Sequence, residues 1–142
     1  MYLPADTANK ESAESKVMRR VKAVWTEAKN TYQIHEVYDF KLAFMNHQNI
    51  VRLRGCGVAA CATVLRGTRS KPLVLLRINK SAVEQNLARV LSDVIPHELA
   101  HVVCDFRPQY GHSHDHDAGW AKVCKRLGGS GHTHYPVGAF NL

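Results

Sequence analysis

The sequence has no C-x-x-C pair, no glutamate beyond Glu98 and no apolar run that approaches the length of a membrane span. Without paired cysteines, the four thiols Cys56, Cys61, Cys104 and Cys124 do not form a secreted disulfide framework and are expected to be reduced. Without a stretch of about 20 apolar residues there is no transmembrane helix. The first fifteen residues are polar and lack a signal-peptide core, so an intracellular location is expected. Internal repeats and low-complexity tracts are also missing. A chain of 142 residues is then most simply one domain, here over residues 12–142 behind a frayed polar segment, residues 1–11. Acid is scarcer than base: 12 Asp and Glu against 19 Lys and Arg give a net charge of +7, compatible with a polyanionic partner or simply with solvated basic faces.

What is present is H-E-x-x-H, at His97-Glu98-Leu99-Ala100-His101. Residues four apart share a helix face, so the two imidazoles can converge on one cation with Glu98 beside them. Hydrolytic zinc sites usually take three protein ligands and leave the fourth position to water. Cys104, seven residues after His97, shares that face, but three ligands on one straight helix would span about 10 Å, too far to meet at one ion. It reads as a buried thiol. A glycine and a histidine, three and six residues after the second motif histidine, would mark one zinc-peptidase group; Cys104 and Arg107 stand there instead. A downstream glutamate would mark another, and none exists. The completing ligand is left among Asp105, Asp115, Asp117 and the histidines 112, 114, 116, 132 and 134.

The flanking pattern is α+β. Val17, Val21, Val24, Trp25 and Ala28 recur at helical spacing from about Ser12, with Lys16, Arg19, Arg20 and Lys22 largely on the other faces. Alternation from Tyr38 to Met45 predicts a strand, Gly55 and Gly57 a turn, and Val58–Leu65 and Leu73–Asn79 two more strands. Short links predict an antiparallel meander. A helix capped by Ser81 follows from Ala82 to Val94, Pro96 predicts a kink or restart before His97, and the metal helix stops before Pro108. A closing helix starts near Asp117 with Trp120, Val123 and Leu127 inward, ended by Gly128 and Gly129.

The chain resembles the SprT-like metallopeptidases, which include the Spartan proteases that degrade proteins crosslinked to DNA. The resemblance rests on H-E-x-x-H, a loop, and then His116 with Trp120 four residues on. Gly57-Val58-Ala59-Ala60, the strand at Val74–Asn79, the Val94-Ile95-Pro96 lead-in and Thr133-His134 extend it, covering residues 40–135. Asp117 departs from the glycine the family prefers after its third histidine, and no four-cysteine zinc ribbon follows. The chain therefore looks like a minimal catalytic domain.

The resemblance implies a zincin-like fold and one zinc ion held by His97, His101 and His116. Bound zinc brings the pKa of its water to around 7, and Glu98 takes the proton as general base during peptide hydrolysis. Substrates would be DNA-associated or DNA-crosslinked proteins, aligned against an edge strand, either Val58–Leu65 or Leu73–Asn79. Arg66, Arg69 and Lys71, in the basic turn between those strands, are the candidate phosphate contacts. His134 or Tyr135 could donate to the oxyanion. His112 and His114 read as a solvated loop, the alternative being a second, weaker metal site with His132 or His134. The competing function is a non-enzymatic basic nucleic-acid-binding module with a structural zinc, which needs a fourth protein ligand.

Overall fold

The computed structural model describes residues 11–142; the frayed segment expected at the N-terminus lies outside them apart from Glu11. Helix α1 (Ala13–Thr31) is capped by Ser12, whose side chain accepts from the Ser15 N–H, and it buries Val17, Val21, Val24, Trp25 and Ala28. Strand β1 (Asp39–Met45), helix α2 (His47–Arg54), strand β2 (Ala60–Leu65) and strand β3 (Leu73–Asn79) follow.

The sheet order is β1-β3-β2, with β1 parallel and β2 antiparallel to β3. This corrects the expected mainly antiparallel meander, because α2 lies between β1 and β2. It takes up the chain that a meander would use for a tight turn, and lets β3 insert between its two predecessors. α2 escapes the helical pattern because only Ile50 of its eight residues is buried. Gly55, read as a strand-to-strand turn, is the left-handed cap of this helix at φ +80°. The second strand begins at Ala60 rather than Val58.

Alternate residues Val74, Leu76 and Ile78 of β3 point into the main core with α1 and the helices that follow. Asn79, buried on the other side, ties three pieces together. Its amide donates to the Val58 carbonyl at 3.0 Å and meets His47 Nδ1 at 3.1 Å, while its oxygen accepts from the Ser81 N–H. Asn79, not Ser81, thus caps helix α3 (Lys80–Gln85). The helix predicted through Val94 is broken at Asn86, which caps a fresh start, α4 (Leu87–Arg89).

From α4 the chain passes through a π turn, Val90–Val94, into α5 (Ile95–Phe106), the helix of the H-E-x-x-H motif. The expected kink before His97 takes this form. Pro96 offers no N–H to the turn behind it, and a π turn is one way to absorb that loss within a helix. The Leu91 carbonyl accepts from Arg20 Nε of α1 at 3.0 Å instead. Arg107, just past α5, pairs with both oxygens of Glu36 at 2.6 and 2.7 Å. That contact holds the Glu36 carboxyl down at about 2. After a short 3-10 turn, Pro108–Tyr110, helix α6 (Ala118–Arg126) closes the fold with Trp120, Val123 and Cys124 buried.

Candidate metal centre

The π turn and α5 present His97 and His101 one turn apart, and the loop after α5 returns His116 to them. His116 Nε2 lies 3.0 Å from His97 Nε2 and 3.2 Å from His101 Nε2, and the ligand atoms of all three are within 4.8 Å of one another. Metal–nitrogen bonds of about 2.0–2.1 Å in a tetrahedron would separate the nitrogens by about 3.3 Å, so the cluster has the right scale for an ion. Its electrostatics agree. Burial, then the neighbouring imidazoles, lowers His97 to about 3 and His101 to about 4, and burial lowers His116 as well. Neutral imidazoles are the form that ligates. His97 Nδ1 and His101 Nδ1 are buried with no hydrogen-bond partner among the described residues, which leaves polar atoms of both rings unsatisfied in the protein alone.

Trp120 is the floor of this cluster. Fully buried, it stands with its ring 4.6 Å from those of His97 and His116 and stacks at 5.2 Å on His101. Its Nε1–H donates to the His97 carbonyl at 3.2 Å. Sequence reasoning placed Trp120 in the core; the only signal for its larger role was its spacing from His116. Asp117 turns out to be the anchor of the loop. Its carboxylate accepts from the Trp120 N–H at 2.8 Å, capping α6, and from the His112 N–H at 3.1 Å. Its φ of −74° needs no glycine. Glycine is needed two residues on, since a Cβ at Gly119 would stand 2.1 Å from the Tyr110 carbonyl oxygen.

The other histidines are not part of the ligand group, although His114 and His134 line the same cleft. His112 Nδ1 lies 3.4 Å from Asp115 and accepts from the His114 N–H, and no second group of metal-ligating side chains occurs among the described residues. Cys104 is buried, and burial, then Asp117, pushes its thiol up to about 11; it is not part of the ligand group.

Glu98 points the opposite way from a surface acid. It is buried, with Oε2 3.7 Å from His97 Nε2. Burial raises its carboxyl to about 8, against a smaller pull downward from the Ala62 backbone and from Arg54. Residues 57–63 line one wall of a cleft of about 750 Å³ over these side chains. Consecutive strand residues point to opposite faces, so what Ala60–Thr63 share is the edge of β2. That edge is unpaired among the described strands, whereas β3 is central; Leu73–Asn79 is therefore corrected as a candidate substrate strand. The chain after α6 forms the opposite wall, including His134, Tyr135 and Phe140.

That wall is pinned from below. Asp93, buried in the π turn, accepts from the Ser130 N–H at 2.9 Å and from its hydroxyl at 3.0 Å. Tyr135 then packs 5.5 Å from the His97 ring, its phenol raised by burial and by Glu98 and Asp93. Nothing before Pro96 in the sequence marked Asp93 as more than a helix residue.

The SprT-like family model matches residues 8–139. The chain belongs to the SprT-like family. No curated protein and no solved structure matches it. Within this SprT-like chain, the H-E-x-x-H histidines and His116 form the one such cluster among the described residues, and it could hold a metal ion. No helix among the described residues is long and apolar enough to cross a membrane.

The opposed shifts make a prediction for the metal-free protein. His97 and His101 sit below their ordinary 6.5, so their contribution to stability is full above pH 6.5 and is lost as pH falls toward 4. Glu98, raised from 4.5 to about 8, contributes fully below pH 4.5 and loses that contribution as pH rises through 8. Between 4.5 and 6.5 the lowered histidines, His116 included, outweigh the one glutamate, and above 6.5 Glu98 is the one of these four groups still acting. Unfolding in chelator should therefore show maximum stability near pH 6.5. Glu98→Gln should remove the decline on the alkaline side; a wild-type midpoint that climbs steadily to pH 8 would contradict the burial of an uncharged Glu98.

Proposed function

We propose that this protein is a zinc-dependent endopeptidase of zincin-like architecture, acting inside the cell on DNA-associated or DNA-crosslinked proteins. The observation that carries the reading is the triad itself. Three histidine ligand atoms converge beside a buried carboxyl, and no fourth His, Cys, Asp or Glu joins them among the described residues. A structural zinc in a nucleic-acid-binding module would require that fourth donor, and Cys104 and the loop histidines lie outside the group.

Zinc held by His97, His101 and His116 would supply Lewis acidity toward a peptide carbonyl and a water of lowered pKa. The chain's own residues do the rest. The free edge of β2 offers unpaired backbone groups on which an unfolded segment can lie as an added strand. Glu98 Oε2 accepts the proton of the nucleophilic water and delivers it to the amine nitrogen as the peptide bond breaks. A nearby dication favours the carboxylate, opposing the burial that otherwise keeps Glu98 protonated, so the group is poised to exchange a proton near neutrality. Trp120 holds the three imidazoles in place. Cleavage of a denatured protein should stop on chelation and return on adding one equivalent of zinc; cleavage that persists in chelator contradicts the reading.

The DNA part of the proposal rests on the +7 charge and the β2–β3 turn. In the protein alone Arg66 pairs with Asp105 and lies over the Phe106 ring, while Arg69 and Lys71 both pair with Asp39, at 3.6 and 3.1 Å. Exposed pairs of this kind are worth only about 0–1 kcal/mol, so phosphates can displace the carboxylates. Neutralising Arg66, Arg69 and Lys71 together should weaken DNA binding and flatten its dependence on salt by roughly one slope unit per lost phosphate contact. A triple variant with the wild-type slope would place DNA elsewhere or nowhere.

A further inference from the structure

Among the described side chains lining the cleft there is one permanent cation, Arg54, and one acid, Glu98. The residues that put Arg54 there are local. It ends α2, and Gly55 in the left-handed conformation turns the chain directly back toward Val58 and β2. Arg54, exposed, is thereby placed on the cleft lining shortly before the edge strand begins. On β3, Arg77 stands opposite Cys61 of β2 in the antiparallel register, so the two side chains share a sheet face. That is also the face of Asn79, whose amide meets His47 at the start of α2. Arg54 and Cys61 thus both line the cleft, and Arg77 stands beside Cys61 on the sheet face behind it. Burial, then the Glu98 charge, raises the Cys61 thiol, and the positive charges of Arg54 and Arg77 oppose them; the charge of Arg54 also reaches Glu98.

Neither guanidinium has a carboxylate side-chain partner among the described residues, as is also true of Arg20, Arg52 and Arg126, whereas Arg19, Arg66, Arg69, Arg89 and Arg107 are paired. An arginine at the end of a cleft, with no ion pair to a carboxylate side chain among the described residues, is available to a carboxylate brought in by a ligand. A strand laid along β2 would carry its side chains past that arginine.

We propose that Arg54, supported by Arg77, forms a carboxylate-accepting subsite at the β2 entry of the cleft, and that it selects substrate segments presenting a carboxylate there. The inference rests on the peptidase reading of the same site. Two sources share the chemistry: an Asp or Glu side chain within a segment, or the free carboxylate at a chain end.

The test uses fluorogenic unstructured peptides in which one Glu is stepped through the positions on both sides of the scissile bond. Each is compared with its Gln and Lys versions, amidated and with a free C-terminus. At one position Glu should exceed Gln by about tenfold in kcat/KM, the scale of a hydrogen bond to a charged group, with the difference carried by KM. The ratio should fall to about one in Arg54→Gln, favour Lys in Arg54→Glu, and be intermediate in Arg77→Gln. Because it is a ratio within each protein, it does not depend on how much of a variant folds. A preference that follows the free C-terminus instead of the stepped Glu assigns the subsite to chain ends. A wild-type ratio of one for every peptide, or an unchanged ratio in Arg54→Gln, overturns the proposal. Fluorescence anisotropy of labelled Glu and Gln peptides on the zinc-loaded protein separates the two readings. If nothing is cleaved yet Glu peptides bind more tightly through Arg54, the peptidase reading fails and the subsite stands; equal binding of both peptides sinks the subsite.

Discussion

Glu98→Gln is expected to fold, to bind one zinc ion and to cleave an unfolded protein roughly 10³-fold more slowly than wild type, within the range by which a positioned general base accelerates a reaction. The expectation follows from where the side chain sits. It is buried against the His97 imidazole and the β2 backbone, so an amide of nearly the same shape keeps the packing. Gln cannot accept the proton. The metal-free variant should lose no stability at neutral pH, because burial already holds Glu98 protonated there when no cation is near. Equal turnover in the variant would remove Glu98 from the chemistry, and a variant that no longer folds would show that its carboxyl is structural.

Replacing His116 with Ala should produce the largest loss of metal. Removing an outer-shell partner typically costs 10–100-fold in affinity, and His116 would be a direct ligand, so a loss of more than about 100-fold is expected. Its exposure makes the experiment clean. His116 lies on a loop outside the main core, so its truncation should change metal-free stability by no more than about 0.5 kcal/mol. His112→Ala and His114→Ala are the controls, since those rings are exposed and meet each other and Asp115 instead of the triad. Full affinity in His116→Ala with loss in either control would mean that the loop presents a different histidine to the ion.

How far the sequence went depended on whether burial left a periodic trace. α1 was legible because five buried residues repeat at helical spacing, and β3 because all seven of its residues are at least partly withdrawn from solvent and only Arg77 and Asn79 among them are polar. The motif histidines were legible because helix geometry alone puts them on one face. α2 left no such trace: one buried residue in a polar octet carries no period, and missing it led directly to the wrong sheet order. Asn86 broke a helix whose apolar spacing ran on past it, since a side-chain cap can end one helix and start another without disturbing the pattern. Asp117 read as a departure from the family's glycine, while its capping bonds show that the loop uses a carboxylate there. Trp120 and Asp93 share a different reason. Each looks like an ordinary helix residue in one dimension, and only the return of the chain after Pro108 and after Gly129 brings it against the site.

X-ray absorption at the zinc edge of the zinc-loaded protein tests the central claim most directly, because it reads the coordination shell itself. The arrangement of His97, His101 and His116 predicts three imidazole nitrogens at about 2.0–2.1 Å and one oxygen donor from solvent. A sulfur scatterer at about 2.3 Å, or a fourth imidazole, would mean a closed structural site and would contradict the account of this protein as a peptidase.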